Sequence, residues 1–405
     1  MATDWLDSGL LGRVRQIVRS RPCLLVGGAV RDHLLGRPVH DLDLVAGRDV
    51  AAVLAEKLPA RLIELGGERF AALRLAGEGF VIDLWDRGEA SLEEELARRD
   101  LTINSIAVDL ADGEWYDPCA GRRDIHARIL RATTDQSFAA DALRTLRLAR
   151  FAAEFGDFTV AAHSLDLAAA AVGGLSAVAA ERRREELGRT LEAARPAAGL
   201  DVWGSIGFYP QVLVPPGDVD DPAATLATAR RALRRADERL ALFAQLGTAQ
   251  PDRHALHAAL MLAAAGADVE ALVEGGWVSR REARAIAFVL PCRRLPTRRE
   301  DQRWLLYSSA KQWPAALCHA AIWEDRLPRE RAAETLASII ELAGREAREI
   351  FTPEPLLRGD EIRELLGLEP GPEVGEAAKR LRRRQIEGRL RDRDDAVAWL
   401  LSERR

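Results

Sequence analysis

The sequence predicts an α+β protein: a small head built on a mixed, mostly antiparallel sheet, followed by an extended all-helical neck, body and tail. Short β-type runs alternate with helical segments in the first part of the chain. From about Asp135 onward, Ala/Leu/Arg/Glu segments with helical periodicity take over almost without strand signal. At 405 residues the chain is too long for one compact core. It divides into modules drawn here at 1–134, 135–200, 201–350 and 351–405.

An amphipathic stretch from Asp4 to Arg19 opens the chain. Strands are expected at Cys23–Gly27, Asp41–Val45, Arg61–Leu65, Phe70–Leu75 and Phe80–Leu84, with helices at Ala29–Leu35 and Val50–Leu58 between them. Breaks are expected at Pro196 to Gly199, Val214 to Pro222 and Phe351 to Pro355, where Pro, Gly or Asp gather. The chain carries no repeat of fixed period, which disfavours a solenoid despite the helical content.

A composition of 48% hydrophobic and 30% charged residues describes an ordinary soluble protein. No apolar run approaches the ~20 residues needed to span a bilayer. Met1 to Arg13 lacks the charged-then-apolar order of a signal peptide, so a cytoplasmic protein without a membrane partner is expected. Cys23, Cys119, Cys292 and Cys318 form no CxxC pair and read as buried reduced thiols. The net charge of −5 argues mildly against a coat of nucleic acid, yet basic residues cluster at Arg182 to Arg184, Arg230 to Arg235 and Lys379 to Arg384. Arginine suits phosphate because its planar fork donates bidentately; an arginine-biased genome accounts for the same composition.

The most informative segment runs Leu24-Leu25-Val26-Gly27-Gly28-Ala29-Val30-Arg31-Asp32, then Leu34-Leu35-Gly36-Arg37 and Asp41-Leu42-Asp43. A strand ending in two glycines at the mouth of a helix lets backbone approach phosphate, and the helix start offers free N–H groups and a positive dipole. Side chains alternate along a strand, so the spacing of Asp41 and Asp43 puts both carboxylates on one face. Paired carboxylates repel one another and commonly serve a hard cation such as magnesium. Taken singly, a Gly-Gly pair is a turn and a DxD is a solvated strand edge; their order and closeness here are more specific.

GGAVRDHLLGRPVHDLDLV resembles the signature of the class II tRNA nucleotidyltransferase and bacterial poly(A) polymerase family, within the DNA polymerase beta superfamily. Arg98-Arg99-Asp100-Leu101-Thr102-Ile103-Asn104-Ser105 is similar to the family's RRDFTINA block, whose Asp and Asn lie beside the incoming nucleotide. Asp141-Ala142-Leu143-Arg144 is similar to the block whose Asp and first Arg read the base edge; Ala140 stands where that block usually has Glu. Arg144, Arg147 and Arg150 recur every three residues, which suggests one helical face aimed at a triphosphate. Glu181-Arg182-Arg183-Arg184-Glu185-Glu186-Leu187 is similar to the family's ERxxxEL helix and reads as packing. The segments Leu356 to Asp360, Gly371-Pro372 and Gln385 to Gly388 look like the tail of longer bacterial members. The resemblance is specific over roughly residues 22 to 190, returns near 354 to 400, and is poor between. Some longer relatives carry a metal-dependent phosphohydrolase marked by an adjacent His-Asp pair. The only such pair in this sequence, His40-Asp41, belongs to the head signature and none stands in the body, so His254, His257 and their surroundings read as helical scaffold and RNA surface.

The resemblance implies a nucleotidyltransferase head (1–134), a neck with a base-selecting helix (135–200), a body (201–350) and a tRNA-binding tail (351–405). It implies Mg2+ held by Asp41 and Asp43, which are also the catalytic residues, with Asp83 either a third carboxylate or a plain surface aspartate. Gly27, Gly28, Arg31, Asp32, Arg99, Asp100, Asn104, Asp141, Arg144, Arg147 and Arg150 would hold the nucleotide. CTP, ATP and the 3′ end of tRNA are the implied substrates, without a stable protein partner. Two rivals remain. A bacterial poly(A) polymerase would show a basic stretch where Gly66-Gly67-Glu68-Arg69-Phe70 stands, and a non-catalytic RNA-binding protein would not need these carboxylates. The connection Trp85 to Ser91 is short where CCA-adding relatives carry a flexible lever, which favours CC addition over A addition; full CCA synthesis stays open if another segment replaces the lever or if the short loop is only a trimmed surface connection.

Overall fold

The computed structural model describes residues 4–65, 72–209, 220–245, 249–324 and 327–403. The chain forms two compact units, Met1–Phe208 and Tyr209–Arg405.

In the first unit the elements run α1 (Gly9–Val18), β1 (Cys23–Val26), α2 (Gly28–Leu34), β2 (Leu42–Ala46), α3 (Arg48–Lys57), β3 (Ala60–Leu65), β4 (Ala72–Gly77), β5 (Phe80–Trp85), α4 (Leu92–Ala97), β6 (Ala107–Asp109), β7 (Trp115–Tyr116), α5 (Gly121–Ala127) and β8 (Ile129–Leu130). Then come α6 (Ser137–Ala140), α7 (Leu143–Phe155), β9 (Thr159–Val160), α8 (Ala162–Ala171), α9 (Ala180–Glu192) and α10 (Pro196–Ser205). Among the described residues the main sheet has the order β3-β4-β5-β2-β1-β6-β7. Its pairings are antiparallel except β2 with β5, where Asp43 lies in register with Asp83. Leu25, Val26, Leu44, Leu75, Ile82 and Leu84 are buried and form its apolar centre. Each removes a branched or long apolar side chain from water, worth roughly 1.5–3 kcal/mol apiece.

Several expectations shift. Strand β2 begins at Leu42, so Asp41 stands just before the strand and the one-face argument for the two carboxylates does not hold. The strand expected at Phe70–Leu75 is β4, displaced to Ala72–Gly77; Phe70 and the preceding Gly66–Arg69 lie outside the described residues. Four short strands, β6 to β9, were not expected, and β9 interrupts the helical half by pairing in parallel with β8. Runs of two or three residues are too short to show alternation, so periodicity cannot reveal them. Pro196 to Gly199 is not a break either. Pro196 sits in the first turn of α10, where its missing N–H costs nothing, and a Cβ at Gly199 would come within 2.6 Å of Thr190 Cγ2 and 3.0 Å of the Ala149 carbonyl oxygen. That glycine lets α10 pack closely on α9 and α7.

The second unit contains α11 (Pro222–Gln245), α12 (Arg253–Ala265), α13 (Glu270–Glu274), α14 (Arg280–Val289), α15 (Arg299–Ser308), α16 (Trp313–Trp323), α17 (Arg329–Arg345), α18 (Ala347–Phe351), α19 (Gly359–Leu366), α20 (Pro372–Ile386) and α21 (Arg393–Ser402). Part of the expected break at Val214 to Pro222 lies outside the described residues, while Phe351 to Pro355 does separate α18 from α19. Leu357, Ile362, Ala377, Leu381, Leu390, Ala396 and Leu400 form a small apolar core of the last helices. His254 lies 4.0 Å from Glu282, and the buried His319 bonds the Cys292 carbonyl. Among the described residues no group of three or more His, Cys, Asp or Glu side chains is arranged to hold a metal ion. The cysteines are free, with Cys23 and Cys318 buried.

Candidate active site

Strand β1 ends at Val26 and is followed by Gly27, whose φ of +71° is a conformation that L side chains rarely adopt. A Cβ there would lie 2.7 Å from Arg99 Nη1 and 2.9 Å from Asp43 Oδ2. Gly27 therefore leaves open the space between a guanidinium and a carboxylate. The Gly28 N–H, at the start of α2, donates to the Asp43 carboxylate. The helix start expected to offer its N–H groups to phosphate thus has that one committed inside the protein. Burial raises the Asp43 carboxyl above its ordinary value; Arg99 opposes the rise and Asp83 adds to it. Burial likewise pulls the Arg99 guanidinium down, against the attraction of Asp43, Glu95 and Asp100. Arg99 stacks 4.7 Å above the Trp85 ring, and Trp85 donates its indole N–H to Glu95 at 2.7 Å.

The other two carboxylates differ. Asp41 is exposed and accepts from the Val81 N–H at 3.1 Å, which ties it to the start of β5. Asp83 is gripped by Arg74 through two hydrogen bonds of 2.7 Å, the two residues facing each other across β4 and β5. Asp83 is thus no plain surface aspartate: it lies beside Asp43 with its charge already paired.

From Asp32 to Glu154 runs a continuous polar chain. Asp32 accepts from Arg31 at 3.0 Å, and Arg31 donates to Asn104 at 2.7 Å. Asn104 donates to Asp100 at 2.8 Å, and Asp100 accepts from Arg147 Nε at 2.7 Å. Arg147 Nη1 lies 3.5 Å from Glu186, which accepts from Arg150 at 2.7 Å, and Arg150 reaches Glu154 at 2.7 Å. Burial alone would raise the Asp100 carboxyl, but the Arg147 charge and the hydrogen bonds from Asn104, Arg147 and the Leu101 N–H hold it well below the usual carboxylate range. Arg147 is held above the usual arginine value, chiefly by Asp100.

The arginines of α7 do not point jointly. A step of three residues turns a helix short of a full turn by about 60°, so three such positions fan around the axis. Arg144 donates to the carbonyls of Ser137 at 3.0 Å and Arg98 at 2.6 Å. Arg147 keeps about a third of its side chain exposed beside Asp100, whereas Arg150 is buried between Glu186 and Glu154. Asp141, at the entry to α7, accepts from the Leu143 N–H at 3.0 Å and from Arg182 of α9 at 2.9 Å. The structure thus links Asp32, Arg31, Asn104, Asp100 and Arg147 by hydrogen bonds, and couples Asp43, beside Gly27 and Gly28, electrostatically to Arg99, Asp83 and Arg147. Asp41 stands at the rim of this group, Arg144 and Asp141 at the start of α7, and Arg150 behind it. Sequence reasoning missed Arg74, Glu95 and the structural use of Glu186. Only Glu186 had a signal, its place in the ERxxxEL helix.

Residues 23–79 and 81–131 match the family profile described as Poly A polymerase head domain. A CC-adding tRNA nucleotidyltransferase of Geobacter sulfurreducens is 32% identical over 93% of this chain and 90% of its own length. A CCA-adding enzyme of Pseudomonas putida is 41% identical over 51% of this chain and 59% of its own length. A multifunctional CCA protein of Leptothrix cholodnii is also 41% identical, and the match spans about half of it, 48%. Among solved structures, the Bacillus stearothermophilus CCA-adding enzyme in complex with CTP superposes with a TM-score of 0.73 at 24% identity, covering 100% of this chain and 98% of that one. The Thermotoga maritima CCA-adding enzyme complexed with tRNA gives 0.67 at 22% identity, covering 97% and 95%. At such identities the structural likeness speaks for the fold.

Proposed function

This chain belongs to the tRNA nucleotidyltransferase and poly(A) polymerase family, and from that premise we propose that it transfers CMP, AMP or both from CTP and ATP to the 3′ end of tRNA, releasing pyrophosphate without a nucleic-acid template. What supports this most directly is the packing at Gly27, where Asp43 and Arg99 share a space that no side chain fills. A half-buried carboxylate beside an enclosed guanidinium suits a substrate carrying both a cation and phosphates.

Asp41 and Asp43 hold Mg2+ in this reading. Their hard anionic oxygens fit an ion that commonly takes one or two protein carboxylates and completes its shell with water and substrate phosphates, so a third protein ligand is not required. Bound there, magnesium supplies activation of the RNA 3′-hydroxyl and neutralises charge on the reacting phosphates. The protein's own groups do the rest. Arg99 and Arg147 offer positive charge to the triphosphate, while Arg31, Asp32, Asn104 and Asp100 fix their geometry. Arg150 acts from behind, through Glu186. Asp141 and Arg144 read the base: a carboxylate accepts from the exocyclic amine that cytosine and adenine share, and repels the carbonyl that uracil and guanine present there.

Residues 1–134 are the catalytic head in this scheme, 135–200 the neck, 201–350 the body and 351–405 the tRNA-binding tail. No described helix is long and apolar enough to cross a membrane, and the cytoplasm, where tRNA is available, is the proposed location.

CC addition is favoured over A addition. The connection from β5 to α4 is a tight turn: the Gly88 N–H bonds the Asp86 carboxylate at 2.9 Å, Arg87 bonds the Ala90 carbonyl at 2.6 Å, and Ser91 and Glu94 close a capping box. So short and tied a segment leaves little lever to switch the site from C to A. The test uses tRNA transcripts ending before CCA and after CC, with each nucleotide supplied separately. Rapid CC addition and slow A addition are expected. Equal rates for all three steps would reject the partial activity, and no magnesium-dependent incorporation would reject the transferase.

A further inference from the structure

The ERxxxEL helix reads from sequence as packing, yet one of its exposed arginines touches the residue that would read the base. Arg182 Nη2 donates to Asp141 Oδ2 at 2.9 Å, while the Leu143 N–H donates to Asp141 Oδ1 at 3.0 Å. Both carboxylate oxygens are therefore held, from two elements. The acidic neighbours of Arg182 on its own helix are committed elsewhere: Glu181 to Arg184 at 2.9 Å, Glu185 to Arg189 at 3.7 Å and Glu186 to Arg150 at 2.7 Å. At the entry to α7, Ala140 and Ala142 flank Asp141, so no second carboxylate competes for the guanidinium.

Resting on the transferase reading above, we propose that Arg182 is a specificity-determining positioning residue, which sets the plane of the Asp141 carboxylate so that it accepts from the amine of cytosine or adenine. The physical reason lies in the carboxylate's spare capacity. Two oxygens offer about four lone-pair sites. With one site on each oxygen taken, the group cannot rotate freely and still presents a lone pair to the base. Held by the Leu143 N–H alone, the carboxylate swings about one oxygen, and the penalty against uracil and guanine falls. Because Arg182 is exposed, with 56% of its side chain in water, its ion pair contributes little to stability. Selection and stability are thereby separable.

The experiment compares incorporation of CTP against UTP, and of ATP against GTP, by the full-length wild type, Arg182→Ala and Arg182→Lys on tRNA transcripts, with thermal melting of each. Arg182→Ala should lower both ratios by about tenfold, the scale of one hydrogen-bonded base contact, with an unchanged melting temperature. Arg182→Lys keeps a charged donor and should recover part of the ratios. Wild-type ratios in Arg182→Ala would overturn the role while leaving the transferase reading intact. Equal losses for all four nucleotides would overturn it too, since a purely structural effect is blind to the base. Should Arg182→Ala melt early, the Arg182→Lys ratios decide: a melting temperature restored without restored selection would reject the assignment. A wild type that adds no nucleotide would remove the transferase reading and this role with it.

Discussion

A methyl group at position 27 would have to share its space with two charged atoms and adopt a φ of +71°, whereas at position 28 its nearest neighbour would be Arg31 Nη2 at an ordinary 3.5 Å. Gly27→Ala is therefore expected to lose about 1–3 kcal/mol, seen as an earlier melt, together with most of its nucleotide addition. Gly28→Ala should melt like the parent; similar melts for the two variants would remove the assignment. The carboxylates separate in the same way. Asp41→Ala and Asp43→Ala should each abolish addition without unfolding the head, because exposed or half-buried acids contribute charge rather than packing, and circular dichroism beside an incorporation assay checks both halves. Substantial magnesium-dependent activity in both variants would end the metal assignment. On α7, Asp141→Ala and Arg144→Ala should relax base choice more than they raise the KM for nucleotide, and Arg147→Ala should do the reverse. Steady-state kinetics with all four triphosphates would show identical patterns if the division of roles is mistaken.

Among the elements, the joint between α4, α7 and α9 is where charge and fold are coupled. Asp100 is ionised at a value below that of an unfolded aspartate, about 3.9. Its contribution to stability is thus complete above that value and drains away as the pH falls toward the depressed one. Asp100→Asn, which does not titrate, should be less stable than the parent at neutral pH and should show a flatter decline below about pH 4. Urea midpoints measured across the acid range would test this; parallel declines would reject it. The long helices and the Gly-Gly, Asp-x-Asp and Arg-Arg-Asp blocks were legible in the sequence because each is a local pattern. The linkage of Asp100 to Arg147 and of Arg150 to Glu186 was not, since it joins residues 47 and 36 positions apart. Arg74 gives no sign of its grip on Asp83 until the register of β4 against β5 is known. The fanning of the α7 arginines was readable from helix geometry alone, and the three-residue spacing misled because it approximates a turn without completing one.

Taken as a whole, the molecule keeps much of its arginine charge occupied. Arg380 pairs with Glu403, and Arg383 bonds Glu387 at 2.9 Å while lying over Trp304. Lys379 bonds Glu376 at 2.7 Å, and Arg382 reaches the Pro353 carbonyl at 2.9 Å. With a net charge of −5 besides, tRNA should displace few counterions. A plot of log affinity against log salt should have a slope shallower than about −4, whereas a slope near −8 would mean a far more extensive phosphate footprint. One feature of the sheet bears on how such a protein comes to be active at all. Strands β2 and β5 run parallel, and the chain must travel through α3, β3 and β4 before Val81 can meet Asp41, 40 positions away. Contacts that close so large a loop are slow to form, while helices assemble from neighbours. During refolding, ellipticity should therefore return before the ability to add a nucleotide. A newly made chain would pass through an interval in which it is largely helical and still inert, because its acidic centre is among the last things to be built.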